Sequence, residues 1–235
     1  MRRIVEPEQL DTLPSCDARA VHARADLRRI NGVMGHARIL TNAFYQHLDF
    51  DTARRRSLRI CELGAGDGTL LLKMARDWSA LDVTAEAQII DRHYLVEEET
   101  RHAFIALNWS LTPLAMEVQT WLRQPGKRVD VMFANLFLHH FPDVQLRELL
   151  SLAAGRTDLF IACEPRRSAF ALASSHLLGL IGCNAVTRHD AVASVRAGFA
   201  GHELSALWPA AGAWQLSEDP AGLFSHCFIA NRYAR

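Results

Sequence analysis

From residue 58 onward, short apolar runs alternate with amphipathic stretches. The runs at 58–63, 87–90, 116–120, 129–135 and 159–163 have the length and composition of strands. The run at 129–135 is nearly all apolar, as a strand covered on both faces must be. Between them, 70–78, 97–108, 144–154 and 168–181 carry apolar residues at helical spacing, and Gln124-Pro125-Gly126-Lys127 reads as a turn. Further on, Thr187-Arg188-His189-Asp190 has the form of a capping box, with Thr187 as cap, opening a helix that stops at Gly198. Two closing strands are expected at 202–208 and 226–231, joined by a long connection containing Trp214. Alternation of this kind predicts an α/β fold with a mostly parallel sheet and helices on both faces.

The first 57 residues differ. Apolar positions at 18–30 and 37–47 follow a helical period, separated by Asn31-Gly32-Val33-Met34-Gly35, and 49–56 is polar and turn-like. The expected organisation is an N-terminal helical segment over 1–57, acting as a lid with a hinge at Gly32 and Gly35, and an α/β domain over 58–235.

The sharpest local signal is Ile60-Cys61-Glu62-Leu63-Gly64-Ala65-Gly66-Asp67-Gly68-Thr69. An apolar strand ends in an acid, turns through three alternating glycines and enters an amphipathic helix. Side chains at these glycines would block a ligand from the backbone or demand an unfavourable φ. The spacing is acid-x-G-x-G-x-G. The third glycine of a dinucleotide fingerprint would fall at position 69, which is Thr69. A second acid, Asp91, follows 23 residues after Gly68 at the end of the next expected strand.

These residues resemble motif I and motif II of the class I S-adenosylmethionine-dependent methyltransferases. The resemblance covers roughly 58–235 and implies a Rossmann-like seven-stranded sheet whose last strand runs antiparallel. It implies S-adenosyl-L-methionine as cofactor. Gly64, Ala65, Gly66 and Gly68 would lie against its methionine part, Glu62 would order the loop or reach the amino group, and Asp91 would accept the ribose hydroxyls. Gln119 and Thr120 hold the place where the family puts an acid or small polar residue near adenine; the acid is missing there. Asn135 and Leu136 match the segment after strand 4 that approaches the methionine end.

On the acceptor side, Leu138-His139-His140-Phe141 follows strand 4 directly. Histidine titrates near neutral pH and suits removal of an acceptor proton, so His139 and His140 are the catalytic candidates. Glu164, Arg166 and Arg167 follow strand 5 and are candidate acceptor contacts. The expected reaction is methyl transfer to a small phenolic, polyketide or quinone-like molecule, with oxygen slightly favoured over carbon. A protein or RNA methyltransferase and a non-catalytic partner subunit are the competing readings. The sequence Asn135-Leu136-Phe137-Leu138 lacks the Asn-Pro-Pro-Tyr motif of many amino-group enzymes.

Composition narrows this further. Lys plus Arg equals Asp plus Glu at 26 each, so a nucleic-acid backbone is not an expected partner. No apolar run is long enough to span a membrane, and no secretion signal opens the chain, which points to the cytoplasm. The five cysteines are scattered without C-x-x-C, so no metal site or disulfide is expected from them. A homodimer is the expected assembly if the chain self-associates.

Overall fold

The computed structural model describes residues 1–14, 16–48, 54–81, 83–209 and 211–233. Strands β1 (Leu58–Leu63), β2 (Ala85–Asp91), β3 (Ser110–Ala115), β4 (Val129–Asn135), β5 (Thr157–Pro165), β6 (Trp214–Ala221) and β7 (Ser225–Arg232) form one sheet. Its order is β3-β2-β1-β4-β5-β7-β6. Neighbours from β3 through β5 pair in parallel, while β7 runs antiparallel to β5 and β6. Strand order reverses between β1 and β4, the position where open α/β sheets bind ligands beyond their carboxyl ends.

Alternate residues of each central strand feed two separate cores. Ile60, Val131, Phe133 and Ile161 face one side with α3 (His36–His47), α4 (Thr69–Trp78) and α5 (Glu98–Ala106). Cys61, Met132, Phe160 and Phe228 face the other with α6 (Val118–Arg123), α7 (Asp143–Arg156) and α10 (Glu203–Leu207). The remaining helices are α1 (Gln9–Thr12), α2 (Ala18–Met34), α8 (Ala169–Ser175) and α9 (Ala185–Ala197). No helix among the described residues is long and apolar enough to cross a membrane.

Four local expectations change. β3 lies at Ser110–Ala115 rather than 116–120, where α6 begins instead. Trp214 opens β6 rather than sitting in a connection. Both strands are sheet edges and both contain a proline before their last residue, Pro113 and Pro220, whereas interior β5 has its proline, Pro165, only at its end. Residues 203–207 are helical, not extended. Leu204, Leu207 and Trp208 are buried at helical spacing, and Glu218 of β6 accepts the free N–H groups of Leu204 and Ser205 at 3.0 and 2.7 Å. Helix α9 is capped by Asn184, whose side chain accepts from Thr187 N–H at 2.8 Å, so Thr187 lies inside the helix.

Leu40 and Phe44 of α3 are fully buried, and the Phe44 ring meets Trp78 and Phe133 edge-on. Helix α3 therefore belongs to the core layer. Helix α2 runs through Asn31 to Met34 and ends at Gly35, whose φ of 71° makes it the cap. The polar stretch expected at 49–56 lies for the most part outside the described residues.

Candidate functional site

The glycine turn leaves β1 at its carboxyl end. Gly64, Gly66 and Gly68 have φ of 67°, 57° and 73°, the left-handed region that favours glycine. The turn is tied to β2: Ile90 O accepts from Gly64 N–H at 2.8 Å, and Asp91 Oδ2 accepts from Gly66 N–H at 2.9 Å. Asp91 Oδ1 accepts from His93 N–H at 2.9 Å. Each carboxylate oxygen keeps a further lone pair for a hydroxyl donor. Above Gly66 there is open space: a Cβ built there meets nothing within 4 Å. At Gly64 the room is taken by the Phe137 ring. Gly68 caps α4, Ala65 is buried beneath the turn, and Arg28 of α2 reaches over to Asp67 at 2.9 Å.

Beneath the turn lie buried polar atoms without partners among the described residues. Glu62 is 2% exposed and its Oε2 accepts nothing; Asn135 Oδ1 is likewise unpaired. Burial pushes the Glu62 carboxyl well above the carboxylate range, helped by the negative charges of Asp67 and Asp91. Asn135 ends β4 beside the His36 imidazole, which burial pushes down to about 4. Leu136 turns out of the strand at φ 51°, donating its N–H to Cys163 O at 2.9 Å. Unpaired buried acceptors are costly, and this pair sits where strand order reverses. Both fit a ligand with donor groups.

Across the turn, Glu164 at the end of β5 is fully buried. It accepts from the backbone N–H groups of Phe137, Leu138 and His139 at 3.1, 2.9 and 3.3 Å and contacts His139 Nδ1 at 2.8 Å. Its role is to shape the histidine loop, which corrects the expectation of an acceptor contact. His139 Nε2 lies 3.3 Å from Glu8 Oε1, and His140 Nδ1 lies 3.1 Å from Asp11 Oδ2. Burial alone would push His139 down; hydrogen bonds and charge from Glu164 and Glu8 reverse this and hold it at about 9. His139 is buried, while His140 keeps a side-chain exposure of 23%.

Other expected contacts fall elsewhere. Gln119 and Thr120 lie on α6, and Gln119 Nε2 donates to Gln145 O at 3.4 Å. Shifting β3 makes Glu117 the second residue beyond that strand. Met116 N–H binds Asp91 O at 2.8 Å, and Glu117 Oε1 lies 4.0 Å from Arg92 Nε, so an acid does follow β3. Arg167 is 8% exposed, with its guanidinium spent on Gly198 O, Met1 O and Glu203. It fastens loops and does not face an acceptor. Arg166 donates its N–H to Phe224 O and bridges to Phe199. Asp190 accepts Gln9 and Leu10 N–H at 2.8 and 2.9 Å, holding the N-terminal arm over the histidines.

Glu8 and Asp11, which complete the histidine cluster, were not legible in the sequence. They stand 131 and 129 residues from His139 and His140, with no local motif around them.

No protein-family model matches the chain, and no curated protein does. Solved structures match over nearly its whole length. The plantazolicin methyltransferase BpumL in complex with SAH aligns with a TM-score of 0.65 at 12% identity, covering 93% of this chain and 92% of that one. An O-methyltransferase family protein from Burkholderia thailandensis aligns at 0.58 and 16% identity, covering 93% and 64%. Magnesium protoporphyrin IX methyltransferase from Synechocystis PCC 6803, with bound SAH, aligns at 0.53 and 14% identity, covering 86% and 84%. The fold is that of the class I methyltransferases.

Proposed function

We propose that this chain is an S-adenosylmethionine-dependent methyltransferase acting on a hydroxyl of a small phenolic, polyketide or quinone-like molecule. The observation that carries the reading is the buried, unpaired carboxyl of Glu62 under a glycine turn that is open above Gly66. Bound S-adenosylmethionine supplies an electrophilic methyl group on a sulfonium whose departure needs no acid.

The chain's own residues then divide the work. Glu62 and Asn135 receive the amino end of the cofactor, Asp91 its ribose hydroxyls, and Glu117 a donor on the base. Asp91 also disfavours a phosphate at that position, which argues against a phosphorylated dinucleotide. On the other side, Glu8, Asp11, His139 and His140 form a titratable cluster at which the acceptor loses its proton. The N-terminal arm covers His139, while His140 and Asp11 keep an opening to solvent. The acceptors named for the similar structures differ among themselves, so the acceptor class rests on this chain's own site. Zero net charge supports a small acceptor over a nucleic acid.

Calorimetric titration with S-adenosylmethionine, its demethylated product SAH and NAD tests the reading. Micromolar binding of the first two and none of NAD is expected, followed by a screen of phenols and quinones for methyl uptake. Binding of NAD alone, or of none of the three, overturns it.

A further inference from the structure

Both histidines of the pair are anchored through Nδ1 and offer Nε2 to the same carboxylate. His139 Nδ1 lies 2.8 Å from Glu164, and His140 Nδ1 lies 3.1 Å from Asp11. On the opposite side of the rings, His139 Nε2 is 3.3 Å from Glu8 Oε1, and His140 Nε2 is 4.0 Å from Glu8 Oε2. One ligand atom from each of the three residues lies within 4.8 Å of the other two.

We propose that Glu8, His139 and His140 form a binding site for one divalent transition-metal ion of the zinc class. Zinc bonds to nitrogen and oxygen of about 2.0–2.1 Å at tetrahedral angles place ligand atoms about 3.3 Å apart. That is the separation of His139 Nε2 from Glu8 Oε1. Metal-bound histidines almost always donate their other N–H to a carboxylate or carbonyl, which fixes the tautomer and the ring plane. Here both do so, to Glu164 and Asp11. Glu8 is itself held by the Ser194 hydroxyl, and Asp11 by Arg92 at 2.9 Å. Two imidazoles and one carboxylate suit zinc and leave a coordination position free.

The consequence, which rests on the methyl-transfer reading, is that the ion makes the acceptor hydroxyl acidic. An acceptor oxygen in the free position loses its proton to solvent; the O–H bonding pair stays on oxygen and becomes the nucleophilic pair. The existence of the site does not depend on that reading.

The test uses the full chain stripped with a chelator. Zinc is titrated against a chromophoric chelator, and cobalt(II) serves as a probe of tetrahedral geometry by its visible absorption. The expected result is one ion per chain. Glu8→Gln and His140→Ala should each lose at least tenfold in zinc affinity. Asp11→Asn, at an exposed residue, should weaken it by about 10–100-fold. His22→Ala, on the exposed face of α2, should change nothing. Melting curves and SAH titrations on the same samples confirm folding. No stoichiometric zinc in the wild type, or equal affinity in the folded Glu8→Gln and Asp11→Asn variants, overturns the site. SAH binding without zinc binding removes the metal site alone. Zinc binding without SAH binding removes the methyl-transfer reading and leaves the site standing.

Discussion

Replacing Glu62 with glutamine keeps the shape of the side chain and removes its charge. This carboxyl is buried and unpaired, and burial pushes it well above the carboxylate range, helped by the charges of Asp67 and Asp91. A carboxyl raised above its unfolded value of 4.5 leaves stability intact below that pH and erodes it as pH rises toward the folded value. Glu62→Gln should therefore melt no lower than wild type at pH 7, with any advantage growing from pH 4.5 upward. Ligand binding should tell the opposite story. A hydrogen bond to a charged group contributes about 1.5–3 kcal/mol. At about 1.4 kcal/mol per decade, its loss weakens S-adenosylmethionine binding by roughly 10–150-fold. The cofactor's ammonium should also draw the carboxyl into its ionised form, releasing up to one proton on binding. Calorimetry in buffers of different ionisation enthalpy counts that proton in the wild type and should find it missing in the variant. Affinity within about twofold of wild type, together with identical proton release, would refute the assignment of Glu62 to the cofactor.

Two further changes probe the turn and the sheet. Gly66→Leu meets open space but must hold φ near 57°, a cost of about 1–2 kcal/mol; the protein should fold yet lose SAH binding in calorimetry, and unchanged affinity would sink the motif assignment. Glu218→Ala strips the partner from buried His226, 2.9 Å away, and from two helix N–H groups, costing about 3 kcal/mol or more. The melting temperature should fall by about 6–12 °C. Burial pushes Glu218 up, but His226, Ser205 and Leu204 hold it below 4.5. Its contribution is present above pH 4.5 and lost as pH falls through the folded value, so the two melting curves should converge in acid. A deficit that persists undiminished at low pH would mean packing, not charge, made the difference.

The elements that sequence located well are those whose chemistry is local. β1, β4 and β5 are mostly apolar because both of their faces are covered, and the glycine turn is written in five consecutive positions after Leu63. The two edge strands escaped for a common reason. Pro113 and Pro220 read as breaks, yet an edge strand has one side without ladder partners and tolerates them. The shift of β3 makes Met116 and Glu117, rather than Gln119 and Thr120, the residues that directly follow the strand. α10 escaped because Glu218, 14 residues from Leu204, supplies its N-terminal acceptor. Asp190 ends the capping-box pattern, yet its partners are backbone groups of an arm some 180 residues earlier. The histidine pair and Glu164 were legible; the other two carboxylates that give the pair direction, Glu8 and Asp11, belong to that same arm and have no signature of their own.

The placement of β7 between β5 and β6 dictates an order of assembly. The half-sheet β3-β2-β1-β4-β5 can form as the chain emerges, each strand docking beside one already made. β5 then presents an open row of backbone donors and acceptors until residues 225–232 arrive, and β6 has no partner before them. Phe160, Trp208 and Phe228 share one cluster, so that core also stays open until then. A nascent chain paused before β7 carries a long, apolar, unpaired edge, the kind of surface that recruits a second copy or a chaperone. Completion of the sheet thus waits for β7, the strand that covers the edge of β5 and gives β6 its partner.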